Sequence, residues 1–291
     1  MSNFPAPAKV NLHLKVTRTL PNGYHELDTS FAYVDVADAL IIYPADELTV
    51  TCSVPHLSGE NNLVYKVLNA FRKEHGLSLG LSVHIQKRLP DQAGLGGGSS
   101  DAATALLAAN KLWNTKQSKQ ELISFATPFG ADIPCFLFEQ ASLAAGVGEQ
   151  LSKYPKDLPK GFLLLAYPGV GLSTPDVFRC YDEQRDAATA LTQHNGVDTI
   201  RANSDPTIGD NDLEACACAL SSEVDKLMKE MRNCSDMAWM SGSGSTCIAF
   251  FSSRKEAEER AKMLLNSKLA TWTHVGKLLK KHPLKSEKIG A

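Results

Sequence analysis

Apolar and polar positions alternate along residues 81–89, which is the period of a half-buried strand. A glycine-rich stretch follows, and beyond it apolar residues recur at helical spacing, the first of them at Ala102. The pattern therefore predicts a strand, a loop and a helix, in that order. Ser99, Ser100 and Asp101 are residue types that commonly cap the start of a helix, and they are available as caps here.

The start of the chain alternates in the same way. Between residues 6 and 14 the apolar side chains share one face of a strand, and Lys9, Asn11 and His13 share the other. Lys9 and Asn11 would then project from the same side of a rigid element, as a positioned pair should. An ordinary strand whose polar face meets water is the alternative, and the residues alone favour it. The Pro-Asn-Gly sequence at residues 21–23 predicts a turn that closes a hairpin.

The remaining segments lie on the two sides of a linker-like stretch. Residues 153–160 are rich in proline and lysine, so we divide the chain into domains of residues 1–152 and 153–291. The other predicted elements are helices around residues 63–73, 213–232 and 257–265, strands at 162–167, 238–240 and 248–251, and a loop at 168–175. We expect a mixed α+β fold with two lobes and a ligand cleft between them.

Composition narrows the classes of function. The chain has 291 residues, of which 43% are hydrophobic, and a net charge of −2, which gives no reason to expect nucleic-acid binding. No apolar run is long enough for a membrane span. The first residues lack the regions of a signal peptide, and an odd number of cysteines, 7, suggests reduced thiols. We expect a cytoplasmic protein, either a monomer or a weak homodimer.

The glycine-rich loop is the clearest candidate for chemistry. A loop that opens a helix gathers unpaired amides and the positive end of the helix dipole, which suits a phosphate. The sequence does not fit a Walker A loop, since Gly98 stands where lysine is required, nor the dinucleotide fingerprint, since Ser99 replaces its last glycine. A merely flexible loop is the alternative, and the strand, loop and helix order favours the anion site. The candidate residues are Pro90, Gly94, Leu95, Gly96, Gly97, Gly98, Ser99 and Ser100.

Two further sites are ambiguous from the residues alone. Asp132 lies in a Gly-Ala-Asp-Ile-Pro stretch, where it would act as a general base or as a plain helix or turn cap, and the cap is favoured. Tyr24 and His25 follow the predicted turn directly. This pair would stack on a flat ring and hydrogen-bond to its edge, or would simply be two surface residues.

Taken together, these segments resemble the GHMP kinases, which include galactokinase, homoserine kinase, mevalonate kinase and phosphomevalonate kinase. The resemblance extends from about residue 5 to residue 251 and weakens towards the C-terminus. Lys-Val-Asn-Leu at residues 9–12 with Gly-Tyr-His at 23–25 is most similar to members that act on a cytidine diphosphate-linked methylerythritol. The segments that carry the resemblance are residues 7–12, 23–25, 90–100, 130–134, 146–149 and 241–244.

The resemblance implies an ATP lobe like a ribosomal-protein domain, in residues 1–152, and a ferredoxin-like substrate-binding lobe in residues 153–291. The glycine loop would wrap the ATP phosphates with backbone amides. Asp132 would accept the proton of the acceptor hydroxyl, and Lys9 would hold Asp132 ionised and offset charge on the reacting oxygens. Mg²⁺ should accompany ATP; its ligands stay unknown, with Ser99 or Ser100 and water as candidates.

The same resemblance implies the substrate contacts. Tyr24 and Phe178 would sandwich the cytosine ring, His25 would read its hydrogen-bonding edge, and Asn11 would contact the methylerythritol hydroxyls. A second glycine turn would approach the diphosphate, through Gly242, Ser243 and Gly244.

The chain departs from the family pattern at two places, and the first is the start of the loop, where Asp91-Gln92-Ala93 stands in place of methionine or further glycines. Asp101 stands where relatives are expected to have asparagine, and its charge near the phosphates would weaken ATP binding slightly. A kinase for homoserine or mevalonate and a non-catalytic relative that only binds are the alternatives.

Overall fold

Two long strands at the start of the chain form the hairpin on which the first sheet is built. The computed structural model describes residues 2–195 and 207–283. Strand β1 (Ser2–Thr19) pairs antiparallel with β2 (His25–Ala45), and the predicted turn joins them. The register places Lys9 opposite Tyr33 and interrupts the ladder with bulges on both sides of the segment 9–11. Bulges increase the local twist of a strand and turn its side chains, and here they flank the two polar residues of interest.

Shorter strands extend this hairpin to a seven-stranded sheet with helices packed on it. The order along the sheet is β3-β4-β2-β5-β6, and β1 and a short last strand, residues 278–279, also pair with β2. Alanine-rich α2 packs against α1, α4 and β1, because small side chains allow close approach of neighbouring elements. The elements are β3 (Thr49–Cys52), α1 (Leu63–Glu74), β4 (Gly80–Gln86), α2 (Gly97–Leu112), α3 (Lys119–Ala126), α4 (Ile133–Leu137), β5 (Ser142–Ala145) and β6 (Gln150–Lys153).

The second part of the chain forms a four-stranded antiparallel sheet in the order β10-β7-β9-β8. Helices between β7 and β8 and between β9 and β10 complete the β-α-β-β-α-β arrangement of a ferredoxin-like lobe. Its elements are β7 (Phe162–Tyr167), α5 (Thr174–Asn195), α6 (Glu214–Leu220), α7 (Ser222–Cys234), β8 (Ala238–Met240), β9 (Cys247–Phe251), α8 (Arg254–Asn266) and β10 (Trp272–Gly276).

The two sheets share a core, and the chain passes from the second sheet back to the first. Leu12 of β1 belongs to the same buried cluster as Leu165, Trp239 and Ile248 of the second sheet. After β10 the chain returns to the first sheet, where β11 (Leu278–Leu279) pairs with β2. The division after residue 152 stays a prediction, but residues 278–279 pair with the first sheet. No helix of the described residues is long and apolar enough to cross a membrane.

The predicted α+β fold with two lobes is confirmed, and the structure corrects the details of three local predictions. Helix α2 begins at Gly97, so Ser99, Ser100 and Asp101 lie within it and do not cap it. The helix predicted around residues 213–232 is two helices, because Ser221 ends α6 and its side chain caps α7. The loop predicted at 168–175 runs into α5, a helix that the apolar pattern did not indicate.

Candidate active site

Lys9 is a buried cation at the centre of the site. Its Nζ lies 3.3 Å from Asp132 Oδ2 and donates a 2.8 Å hydrogen bond to Asn11 Oδ1. Only 4% of Lys9 is exposed, and Asn11 and His13 are also buried. The polar face of β1 therefore does not meet water, so the simple amphipathic strand favoured by the residues alone is wrong. It faces the interior between the two lobes, where an ammonium and a carboxylate interact more strongly than in bulk water.

Asn11 holds Lys9 in place. The Asn11 Nδ2 group donates to Thr29 Oγ1 at 2.9 Å, which leaves Oδ1 as the acceptor for Lys9. Thr29 in turn donates to the carbonyl of His13. Both ends of the Asn11 amide are thus engaged within the protein. Its expected contact with substrate hydroxyls stays a prediction, and the geometry gives it a positioning role beside Lys9.

Asp132 stands at the N-cap position of α4 but does not act as a cap. Its side chain accepts no hydrogen bond from the helix amides, so the cap interpretation is wrong. The carboxylate is 35% exposed and forms an ion pair with Lys9. One side of the carboxylate is thus held by a cation while the other is open to a ligand, which is the arrangement required of a general base.

The glycine loop lies against both Lys9 and the second glycine turn. The Lys9 amide donates to the Leu95 carbonyl at 3.0 Å, and the Ser241 hydroxyl donates to the Gly94 carbonyl at 3.0 Å. Gly96 is the N-cap residue of α2, with a φ of 68° that favours glycine. The amides of the first turn of α2 have no acceptor within the helix and are available to an anion.

Gly94 should be the glycine of this loop least tolerant of a side chain. An added Cβ would lie 2.5 Å from the Ser241 carbonyl oxygen, and φ is +75°. We expect Gly94→Ala to lower the free energy of unfolding by about 1–3 kcal/mol, measured by urea denaturation. Gly98→Ala is the matched control, since its Cβ would meet nothing within 4 Å and alanine favours a helix. Equal stability of the two variants would contradict the close approach.

A buried charge cluster lies beneath the same loop, and the sequence did not indicate it. Lys87 Nζ contacts Asp38 Oδ2 at 2.5 Å and Asp101 Oδ2 at 3.0 Å. Burial alone would lower the pKa of Lys87, but the two carboxylates outweigh burial and raise it. Burial raises the pKa of Asp101 to about 7 despite Lys87, and Asp38 adds to the rise. Asp101 is therefore buried and paired with Lys87 inside the protein, and its expected effect on ATP binding stays a prediction.

One cavity of about 680 Å³ joins the candidate residues from both lobes. Lys9, Asp132 and Ser99 lie along it together with the substrate candidates Asn11, Tyr24, His25, Phe178, Gly242 and Ser243. The other loop residues and Gly244 are not among its lining residues. Gly242 stands close to Asn11 and Lys9, since a Cβ there would be 3.1 Å from Asn11 Oδ1 and 3.6 Å from Lys9 Nζ.

Aromatic side chains line the part of the cavity that lies away from Lys9 and Asp132. Tyr24, at the tip of the first hairpin, is 64% exposed. Phe178 of α5 stacks on His25 with ring centroids 4.5 Å apart and an interplanar angle of 23°. Asp182, one helical turn after Phe178, accepts a hydrogen bond from His25 Nε2 and also lines the cavity. The sequence interpretation missed Asp182, although the spacing of four residues from Phe178 would place both on one helix face.

Both parts of the chain match family models. Residues 62–140 match the model described as GHMP kinases N terminal domain, and residues 187–270 match GHMP kinases C terminal. The chain is 34% identical over 287 residues to 4-diphosphocytidyl-2-C-methyl-D-erythritol kinase of Cupriavidus metallidurans, with 98% of this chain and 95% of the relative covered. It is 36% identical to the enzyme of that name from Chromobacterium violaceum, with 90% of each chain covered.

Solved structures have the same fold. A crystal structure of 4-(cytidine 5'-diphospho)-2C-methyl-D-erythritol kinase matches with a TM-score of 0.76 and 32% identity, covering 95% of this chain and 99% of that one. The mevalonate kinase of Methanococcus jannaschii matches with a TM-score of 0.68 at 13% identity, covering 96% and 98% of the two chains. The second similarity concerns the fold alone.

Proposed function

The chain belongs to the GHMP kinases, and we propose that it uses ATP to phosphorylate the 2-hydroxyl of 4-diphosphocytidyl-2-C-methyl-D-erythritol. This reaction belongs to the non-mevalonate route to isoprenoid precursors. The observation that carries the proposal is one cavity with the Lys9 and Asp132 pair at one end and Tyr24, His25 and Phe178 at the other. The first pair suits phosphoryl transfer, and the aromatic group suits a nucleobase. Relatives of this name share about a third of the sequence.

In the proposed reaction Asp132 accepts the proton of the 2-hydroxyl while that oxygen attacks the γ-phosphorus of ATP. The new O–P bond forms as the bond between the γ-phosphorus and the bridging oxygen breaks, and ADP leaves. The Lys9 ammonium, 3.3 Å from Asp132, offsets the negative charge that gathers on the reacting oxygens. Phosphoryl transfer depends mainly on positioning and charge stabilisation, so one base, one cation and an amide-lined loop suffice.

The phosphates of ATP would lie at the first turn of α2. Mg²⁺, when bound, neutralises phosphate charge and polarises the γ-phosphoryl group. Ser99 lines the cavity, whereas the Ser100 hydroxyl is buried and has no hydrogen-bond partner among the described residues, so Ser99 fits the metal better. The described residues contain no group of three or more His, Cys, Asp or Glu side chains suited to a metal. Phosphate oxygens and water would supply the other ligands.

The test is a coupled assay of ADP release with ATP, Mg²⁺ and one acceptor at a time. We expect turnover with 4-diphosphocytidyl-2-C-methyl-D-erythritol and none above background with mevalonate or homoserine. Turnover of mevalonate or homoserine alone would support the other kinases of the family. Nucleotide binding without phosphate transfer to any of the three would support a protein that only binds.

Tyr24→Ala tests whether the acceptor substrate contains a nucleobase. Stacking of a base on an aromatic side chain is worth about 1–3 kcal/mol, so we expect KM for the acceptor to rise by roughly five- to a hundred-fold with kcat little changed. Tyr43→Ala is the matched control, because Tyr43 is exposed and lies outside the cavity. An unchanged KM in Tyr24→Ala would contradict the proposed base contact.

A further inference from the structure

Asp182 is bound to His25 through both carboxylate oxygens. His25 Nε2 lies 3.0 Å from Oδ1 and 3.0 Å from Oδ2, and only 8% of the His25 side chain is exposed. Thr19 donates a hydrogen bond to Asp182 Oδ1 at 3.3 Å, and Arg185 Nη2 lies 3.4 Å from the same oxygen. Arg185 also donates to Thr19 at 2.6 Å. The carboxylate is thus fixed by groups from β1 and α5, and it bridges them to the first residue of β2.

This contact decides which nitrogen of His25 carries a proton. An ionised carboxylate only accepts hydrogen bonds, so Nε2 must be the donor. In the neutral imidazole Nδ1 then has a free lone pair and acts as an acceptor. Among the described residues Nδ1 has no hydrogen-bond partner, and His25 lines the cavity. Phe178 covers one ring face, so stacking and the carboxylate together hold the orientation of the imidazole.

A nucleobase at this end of the cavity would meet a fixed acceptor. The 4-amino group of cytosine is a donor and pairs with a lone pair on Nδ1. Uracil has a carbonyl oxygen at the same position, and two acceptors facing each other are unfavourable. An amide side chain in place of the Asp182 carboxylate would remove this selection, because an amide can donate a hydrogen bond to Nε2 and so allow the proton to be on Nδ1.

We propose that Asp182 is a positioning residue that selects cytosine over uracil, by holding the proton of His25 on Nε2 and thereby making Nδ1 an acceptor for the 4-amino group. The inference rests on the proposed function for its substrate, and it goes beyond that function by assigning the discrimination between bases to a residue that acts through His25. Catalysis at Lys9 and Asp132 lies at the other end of the cavity and should be insensitive to it.

The experiment compares kcat/KM for the cytidine substrate and its uridine analogue in the wild type, Asp182→Asn and Asp182→Glu. A paired donor and acceptor on a base discriminates by about 1–3 kcal/mol, so we expect a wild-type preference of at least roughly fivefold. In Asp182→Asn that ratio should fall at least about fivefold through KM, with kcat changed less than about threefold. Asp182→Glu keeps an acceptor for Nε2 and should retain the preference for cytidine.

Asp186→Asn is the matched control, since Asp186 is on the same helix, pairs with Arg185 and is 73% exposed. Binding of CDP and UDP, measured by calorimetry, gives a readout independent of turnover. If the wild type turns over neither substrate but binds CDP more tightly than UDP, and Asp182→Asn loses that preference, the proposed function fails and the role of Asp182 stands. An unchanged ratio in folded Asp182→Asn, or no preference for CDP in the wild type, would overturn the inference.

Discussion

Asp132→Asn is expected to lower kcat by about a hundred- to ten-thousand-fold, the usual contribution of a positioned base. Asparagine keeps the size of the side chain but cannot accept the hydroxyl proton. Lys9 remains beside Asn11 at 2.8 Å, and the glycine loop is untouched, so KM for ATP should change little. The measurement is steady-state release of ADP with the cytidine-containing acceptor, at saturating concentrations of both substrates.

The control for this substitution is Asp225→Asn, which neutralises an exposed carboxylate paired with Lys229 on α7. When two groups act as a unit, the effects of substituting them on kcat are not additive. A double variant with Lys9→Met and Asp132→Asn should therefore be little slower than the slower single variant. Wild-type turnover by Asp132→Asn would remove Asp132 from the mechanism. Multiplicative losses in the double variant would show that Lys9 and Asp132 act independently, although they are 3.3 Å apart.

Segments with a clear local pattern were predictable from the sequence. Strand β7 has the predicted bounds, and the first hairpin turns at the Pro-Asn-Gly sequence. Strand β7 is a short apolar run whose middle residues are all buried, and Pro-Asn-Gly favours a turn, so the residues of these segments indicate their structure by themselves. Helix α5 lacks an apolar stripe, because charged and polar residues dominate its middle turns. Its position is set by the contacts of Phe178 and Asp182 with the first hairpin.

Polar residues that the fold buries were harder to interpret. Lys9 and Asp132 are far apart in the chain, and each has an ordinary local explanation as a surface residue or a cap. Their meeting depends on how β1, α4 and the glycine loop pack, which no local pattern reports. Asp101 shows the same difficulty, since an aspartate in the first turns of a helix indicates a dipole interaction or a cap, while its actual partner is Lys87.

Loss of the Lys87 ammonium should destabilise the protein strongly, since it is the shared partner of two buried carboxylates. The Asp38 and Asp101 side chains are 0% and 4% exposed. Removing one partner of a buried ion pair typically costs about 3–5 kcal/mol, and we expect Lys87→Met to lower the free energy of unfolding by this amount at pH 8. Lys229→Met, which removes an exposed lysine, should stay within about 0.5 kcal/mol of the wild type. Urea denaturation followed by circular dichroism measures both.

The pH dependence gives this prediction its sharpest check. The pKa of Asp101 is raised to about 7 in the folded protein, above its ordinary value near 4, so the folded state holds that proton more tightly than the unfolded chain. The stability from this proton is complete below about pH 4 and is lost as pH rises through 7. Lys87 opposes the rise in the pKa of Asp101, so without Lys87 that pKa should rise further, and Lys87→Met should recover stability between pH 8 and pH 5 more than the wild type does. Adding Asp101→Asn removes one unpaired charge and should restore part of the loss at pH 8. If Lys87→Met lowers the free energy of unfolding by the same amount at pH 5 and at pH 8, Lys87 stabilises the glycine loop through its packing and not through its charge.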